Sequence, residues 1–280
     1  MGKKRKPKPQ PPHIPGLIDS HCHLDYAPMA DDLEATFARA EAAGVEQMVH
    51  IGCSPDTMGP AVELATTHAR VFASVGIHPH EARHLDDELF ATIERLATSS
   101  AKVVAIGETG LDYHYDFSPR EDQLRAFGRQ IELAKAIDKP LVLHIRDAHA
   151  DAWSVLDEHP ARANPGVVHC FTGNAAEAER WLERGWHIAF SGIATFKKAV
   201  ELREAVLRVP RERILLETDA PYLAPEPLRG RRNEPANVAF TCAALAELRG
   251  EDPRELARTT AANTRALFGL PEPQATRASV

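Results

Sequence analysis

The chain has 280 residues, 44% hydrophobic and 26% charged, with a formal net charge of −7. This is the mixture of an ordinary globular protein and the length of one α/β barrel of about 250 residues. No apolar run approaches the roughly 18–20 residues that span a bilayer, and the negative balance argues against wholesale coating of nucleic acid. Cys22, Cys53, Cys170 and Cys242 are widely spaced with no CxxC pair, which argues against a disulfide framework and for packed, reduced thiols.

Residues 1–16 are basic and proline-rich, with Lys3, Lys4, Arg5, Lys6 and Lys8 and no acid. They lack the apolar stretch of a secretory signal, so the expected location is cytoplasmic, and they read as a flexible tail. Taking those five charges from the net −7 leaves −12 for residues 17–280, an excess that carboxylates around a bound cation would explain.

From Leu17 onward, short apolar runs alternate with amphipathic stretches. The runs predict strands over Leu17–Asp25, Val45–Cys53, Val71–Pro79, Val103–Gly107, Pro140–Arg146, Val167–Thr172, His187–Gly192 and Ile214–Asp219. Helical spacing of apolar residues predicts helices over Asp31–Ala43 and Glu121–Ile137. Gly44 stops the first, and Ser118-Pro119 reads as cap and first turn of the second. Asn237–Ala246 and Pro253–Phe268 supply closing helices, and 271–280 is a C-terminal tail. Nearly continuous apolar strands are buried on both faces, hence parallel. Eight of them alternating with helices predict an α/β protein with a single (β/α)8 TIM barrel over residues 17–270.

The polar residues of these runs fall at their ends. His21 and His23 close the first strand in Asp19-Ser-His-Cys-His-Leu-Asp25, and residues two apart on a strand share a side. Glu108, His144, His169 and Asp219 stand at the ends of four further strands. In a parallel barrel those ends lie on one face, where active sites are built. A lone His-x-His is weak evidence, because buried histidines commonly just hydrogen-bond. Six metal-type side chains converging is different, since uncompensated buried charge is costly. Imidazoles with carboxylates suit zinc, manganese or a related divalent ion. Six exceed the needs of one ion, so His21, His23, Glu108 and Asp219 read as one set and Glu108, His144 and His169 as a second, with Glu108 as the bridge.

The segments Asp19-Ser-His-Cys-His-Leu-Asp25, Gly76-Ile-His-Pro-His80, Ile106-Gly-Glu-Thr-Gly-Leu-Asp112, Leu143-His-Ile-Arg-Asp147, His169-Cys-Phe-Thr-Gly173, Ser191-Gly-Ile-Ala-Thr-Phe-Lys197, Leu215-Leu-Glu-Thr-Asp-Ala-Pro-Tyr-Leu-Ala-Pro225, Arg231-Arg-Asn-Glu-Pro-Ala-Asn237 and Asn263-Thr-Arg-Ala-Leu-Phe-Gly269 carry a resemblance. In this order the chain resembles the TatD family of metal-dependent deoxyribonucleases, a branch of the amidohydrolase-like barrels. The resemblance implies one or two divalent cations (Zn, Mn or Mg) held by His21, His23, Glu108, His144, His169 and Asp219, and phosphodiester hydrolysis in DNA, in an exonucleolytic mode. Related amidohydrolases often bridge their metals with a carboxylated lysine. Here Glu108 takes that place, and the basic tail before Leu17 is the main departure.

Asp219 is expected to orient or deprotonate the attacking water. Candidate substrate contacts are His78 and His80, which flank Pro79, then Arg146 and Lys197 after the fifth and seventh strands, and Arg232 with Arg231 in the Gly230–Pro235 loop. A braced turn, a local ion pair or a solvated loop charge is the competing account for each. Tyr113 and Tyr222 can stack on a base or simply pack. No organic cofactor or membrane is expected, and the chain is expected to be a monomer or small homo-oligomer. Two rivals stand: an amide or ester hydrolase using the same metals, including an aminoacyl-tRNA deacylase, and a non-enzymatic adaptor led by the basic tail.

Overall fold

The computed structural model describes residues 9–27, 29–160 and 165–273. Within them, eight strands pair in parallel and in sequence order: β1 (Leu17–Cys22), β2 (Val45–Gly52), β3 (Val71–Val75), β4 (Val103–Asp112), β5 (Leu141–Arg146), β6 (Gly166–Val168), β7 (His187–Phe190) and β8 (Ile214–Leu216). The sheet closes on itself just past β8. There Asp219 N–H donates to the His21 carbonyl at 2.9 Å and His23 N–H to the Ala220 carbonyl at 2.8 Å. The helices are α1 (Leu33–Ala43), α2 (Met58–Thr67), α3 (Asp87–Thr98), α4 (Arg120–Ala136), α5 (His149–Glu158), α6 (Ala175–Glu183), α7 (Val200–Arg208), α8 (Val238–Arg249) and α9 (Pro253–Phe268). This is the expected TIM barrel.

Two apolar layers hold it. Ile18, Val49, Phe72, Val104, Val142, Val167 and Leu215 meet inside the barrel with Leu267 and Phe268 of α9. Asn263 of α9 bonds the Ile214 carbonyl, and Arg265 bonds Glu46 and Gln47, so α9 plugs the end where strands begin. A larger layer joins the outward strand residues, among them Met48, Val75, Ile106 and Ile188, to Ala61, Ile93, Phe127, Trp181 and Leu245 of the helices. Each large side chain so buried contributes roughly 1.5–3 kcal/mol.

Strict alternation fails at two places that matter. On β1, Asp19 pairs with Met48 but Cys22 with His50, so β1 carries one extra residue between them. Ile18 is interior, and without the bulge Ser20 and Cys22 would follow it. With the bulge, Cys22 packs outward and His21 and His23 take the inward positions. On β4, Gly107 pairs with Val142 and Thr109 with Leu143, leaving Glu108 as the unpaired residue of a second bulge. Bulges re-aim side chains in this way. Gly107 has φ of +143°, and a Cβ there would stand 2.5 Å from the Val142 carbonyl oxygen, so only glycine lets β4 lie this close to β5.

Element ends differ from expectation in three respects. The fourth strand continues through the bulge to Asp112 instead of stopping at Gly107. The first, third, sixth and eighth stop earlier, so His23, His78, His169 and Asp219 lie on the turns just beyond them. Ser118 is not the cap of α4: its hydroxyl donates to the His80 carbonyl and accepts from Arg83 N–H, and Pro119 precedes the helix with no side-chain cap. Gly44 ends α1 in the left-handed conformation, as expected. Of the N-terminal stretch, residues 1–8 lie outside the described residues, whereas Ile14 is buried and donates to the Ala43 carbonyl. Residues 274–280 also lie outside. All four cysteines are free thiols; Cys22 and Cys242 are buried, and Cys53 and Cys170 line the cavity described below.

His187 at the start of β7 offers a test of this packing. Burial first, and the neighbouring Arg213 charge second, push its imidazole down to about 4, against one favourable contact with the Gly166 backbone. Between pH 6.5 and 4 the unfolded chain therefore takes up a proton that the folded chain refuses, and stability falls as pH falls through that window. His187→Gln is expected to flatten the decline, read as the difference in urea midpoint between pH 7 and pH 4.5 for variant and wild type.

Candidate metal centre

Glu108 is 3% exposed and stands at the middle of a ring of imidazoles. Its Oε2 lies 3.3 Å from His21 Nε2 and 4.0 Å from His23 Nε2. Its Oε1 lies 2.8 Å from His169 Nε2, 2.9 Å from His144 Nδ1 and 3.4 Å from His78 Nε2. Asp219 completes the first side, with Oδ1 3.4 Å from His23 Nε2 and 3.7 Å from His21 Nε2. The two carboxylate oxygens thus face two separate donor sets. Ligand atoms of His21, His23 and Glu108 fall within 4.8 Å of one another, as do those of His78, Glu108 and His144 and those of His21, His169 and Glu217.

The electrostatics follow from burial against pairing. Burial alone would raise the Glu108 carboxyl, but its interactions with His169, His78 and His21 and the His144 bond hold it well below its usual range. Burial would likewise lower His169, and Glu108 and Glu217 lift it well above the ordinary histidine value. For His21, burial and the neighbouring His169 win, and the imidazole is pushed down. His78 is pushed down to about 4 by burial, with Glu108 only partly offsetting it. His21 and His78 are therefore neutral donors at pH 7. Both ring nitrogens of His21 are buried without a hydrogen-bond partner, a costly arrangement that a cation at Nε2 would relieve. The donor set fits a divalent ion of zinc or manganese type.

Sequence reasoning missed the groups that hold these imidazoles. Asp112 Oδ2 lies 3.1 Å from His144 Nε2 and 2.8 Å from His80 Nε2, while Oδ1 accepts the His114 and Tyr115 amides. His144 is thereby oriented with Nδ1 toward Glu108, the carboxylate–histidine arrangement that fixes metal ligands. Burial would raise the Asp112 carboxyl, but the His144, His80 and Tyr115 bonds hold it far below its usual range. Glu217 plays the matching part for His169, 3.5 Å from its Nδ1, and accepts the Cys170 amide at 2.6 Å. Two buried glutamines of α4 brace the same region. Gln123 accepts the Asp112 amide, and Gln130 accepts the Ile77 amide while donating to the Thr109 hydroxyl. Their i, i+7 spacing on the apolar face of α4 was the available signal.

A cavity of about 770 Å³ opens over the cluster. His78, His80 and Arg146 line it, and His78 sits within the metal-type cluster itself. Lys197 and Arg232 are exposed and stand outside the lining, as does Arg231. Tyr222 lines the cavity, but Tyr113 does not: its hydroxyl donates to Asp151 and the Arg120 guanidinium covers its ring. The nearby Cys53 and Cys170 thiols are held protonated by burial.

A closed parallel barrel that gathers histidines and carboxylates at the C-terminal ends of its strands is the architecture of a metal-dependent hydrolase. Residues 18–269 match the family described as TatD related DNase. The chain is 40% identical over 254 residues to a protein named uncharacterized metal-dependent hydrolase YabD of Bacillus subtilis, covering 91% of this chain and 99% of that one. It is 38% identical over 259 residues to the 3′-5′ ssDNA/RNA exonuclease TatD of Citrobacter koseri, again covering 91% and 99%. The crystal structure of the TatD homologue YJJV from Escherichia coli K12 superposes with a TM-score of 0.87 at 34% identity, over 92% of this chain and all of that one. The chain belongs to the TatD-related DNase family and is a metal-dependent hydrolase. No helix among the described residues is long and apolar enough to cross a membrane.

Removing the brace should loosen the metal without unfolding the barrel. Asp112→Asn and Glu217→Gln are each expected to weaken metal binding roughly 10–100-fold, measured by titrating chelated zinc or manganese into metal-stripped protein. Wild-type affinity in both variants would assign these carboxylates a purely architectural role.

Proposed function

We propose that this hydrolase cleaves phosphodiester bonds of single-stranded DNA from an end, with two divalent cations that Glu108 would help to hold. The observation that carries the reading is the division of Glu108: one oxygen faces His21 and His23, the other His144, His169 and His78. His21, His23, Glu108 and Asp219 would hold one cation, and Glu108, His144 and His169 the other. When bound, such a pair lowers the pKa of water and offsets charge on phosphoryl oxygens. Relatives named as 3′-5′ ssDNA/RNA exonucleases support a nucleic-acid substrate.

The protein's own groups do the rest. Asp219 stands at the cavity edge of the cluster and accepts the proton of the attacking water. His78 and His80 also line the cavity; with its Nδ1 accepting the His80 amide, His78 keeps one N–H, at Nε2, to share between Glu108 and a phosphoryl oxygen. Arg146, the one lysine or arginine of the lining among the described residues, neutralises the flanking phosphate. Lys197 and Arg232, away from the cavity, would meet only more distant parts of a strand. The reading places the enzyme in the cytoplasm, as a monomer or small homo-oligomer.

The test is metal-stripped protein refilled with Mg²⁺, Mn²⁺ or Zn²⁺ and given end-labelled single-stranded and duplex oligonucleotides, a dihydropyrimidine and an aminoacyl-tRNA. Stepwise shortening of the single strand is expected, with two equivalents of metal per chain. Cleavage of only the amide or the ester would hand the site to the rival hydrolase reading. Asp219→Asn is expected to lower kcat at least 100-fold with KM within about threefold; near-normal turnover would remove Asp219 from proton transfer. Deleting residues 1–12, which spares the buried Ile14, should leave turnover on a short oligonucleotide unchanged, whereas its loss would favour a tail-led mode.

A further inference from the structure

The large exposed apolar side chains among the described residues are Tyr26, Tyr115, Phe117, Val200, Leu207 and Tyr222. Three of them, Tyr26, Tyr115 and Tyr222, line the cavity over the metal-type cluster. Scattered exposed apolar groups need no explanation, but a concentration at one mouth does. The rings are not equivalent. Tyr115 stacks on Phe117 with centroids 5.2 Å apart, and the Arg146 guanidinium lies 4.9 Å over its ring, so its ring is already engaged. Tyr26 and Tyr222 meet edge to face, centroids 5.6 Å apart at 73°, and neither carries a stacked cation among the described residues. Two rings meeting edge to face, each 45% exposed, form a corner that presents aromatic surface to the cavity.

That corner adjoins the cluster. His23 lies 6.1 Å from Tyr26 and 6.2 Å from Tyr222, ring centre to ring centre. Tyr26 follows His23 by three residues and Tyr222 follows Asp219 by three, so the turns that place the metal-type ligands also place the corner. Ile193 and Leu223 add apolar surface to the same lining. A phosphate held at the His23 and Asp219 side of the cluster would have its own base within reach of these rings. We propose that Tyr26 and Tyr222 form a nucleobase subsite, where the base of the nucleotide at the scissile phosphate stacks. This rests on the phosphodiesterase reading above. Stacking accepts every base, because each has a π-face, so the subsite selects an unpaired base without selecting its identity. A base still paired in a duplex would not enter the corner.

The test compares wild type, Tyr26→Leu, Tyr222→Leu and the double variant on single-stranded oligonucleotides, intact or with an abasic residue at each of the last three nucleotides of the cleaved end in turn. The double variant is expected to raise KM about tenfold or more, the size of lost base stacking, with kcat within about twofold and metal content unchanged. Wild-type enzyme should show the same KM rise for one abasic position, and the double variant should lose nothing further on that substrate. Tyr→Phe at both positions should retain wild-type KM. Unchanged KM in the double variant, or an equal further loss on the abasic strand, overturns the subsite while leaving the phosphodiesterase reading intact. If wild type cleaves no oligonucleotide with any metal, that reading and the subsite fall together.

Discussion

Everything at the mouth of this barrel depends on one buried carboxylate. Glu108 is almost fully removed from water, and a charge there is tolerated only if its surroundings compensate it. Five imidazoles do so, drawn from the ends of β1, β3, β5 and β6. The arrangement constrains the backbone beneath it. Glu108 can face the centre because β4 carries a bulge at that residue, and β4 can lie against β5 there because Gly107 has no Cβ. A carboxylate at this point is also where charge from several strands can be balanced at once. The fold supplies eight converging strand ends, and the carboxylate gives them a common target.

Barrel closure and site assembly are the same set of contacts. The seam between β1 and the chain beyond β8 is made by the backbones of His21, His23, Asp219 and Ala220. Asp19 reinforces it, accepting the Thr218 amide and hydroxyl at 2.9 and 2.6 Å. Burial raises the Asp19 carboxyl to about 8 despite those bonds, so at neutral pH it joins the strands without adding to the buried charges of Glu108, Asp112 and Asp219. Errors at this seam would displace His21, His23 and Asp219 together. The first metal-type set is therefore only as precise as the closure, whereas the second is held by side chains, through Asp112 and Glu217.

How much of this is legible in the sequence follows from what each feature leaves behind. Strands buried on both faces leave unbroken apolar runs, and a histidine or acid ending such a run stands out, which is why His21, His23, Glu108, His144, His169 and Asp219 are visible. The bulges leave no trace in polarity: reading His21 and His23 as neighbours on one strand face turns both inward through an alternation that β1 does not keep. Asp112 and Glu217 sit inside legible motifs, yet nothing in the residue type separates a carboxylate that holds a ligand from one that is a ligand. Gln123 and Gln130 share the face of α4 that carries Phe127 and Ala134, a spacing that marks them as buried without showing that they brace β4 and the turn beyond β3. Lys197 and Arg232 show the converse, since a basic residue near a strand end in sequence can still lie outside the cavity.

The charge around the cavity limits how a polyanion can be held. Among the described residues Arg146 is the only lysine or arginine in the lining, and Glu81 and Asp147 also line it. Within the lining a polyanion would find little counter-charge beyond Arg146, so the cavity itself supplies no long electrostatic footprint with its steep salt dependence. What the mouth does offer is a concentrated cationic centre once metals are bound, one guanidinium, and exposed aromatic surface at Tyr26 and Tyr222. Such a site would, on the phosphodiesterase reading, take strength from one or two nucleotides at a time rather than from a tract, and the balance of −12 over residues 17–280 would disfavour lingering on the product. On the phosphodiesterase reading, the acidic balance that argued against a nucleic-acid-coating protein is compatible with an enzyme that engages the end of a strand, cuts and lets go.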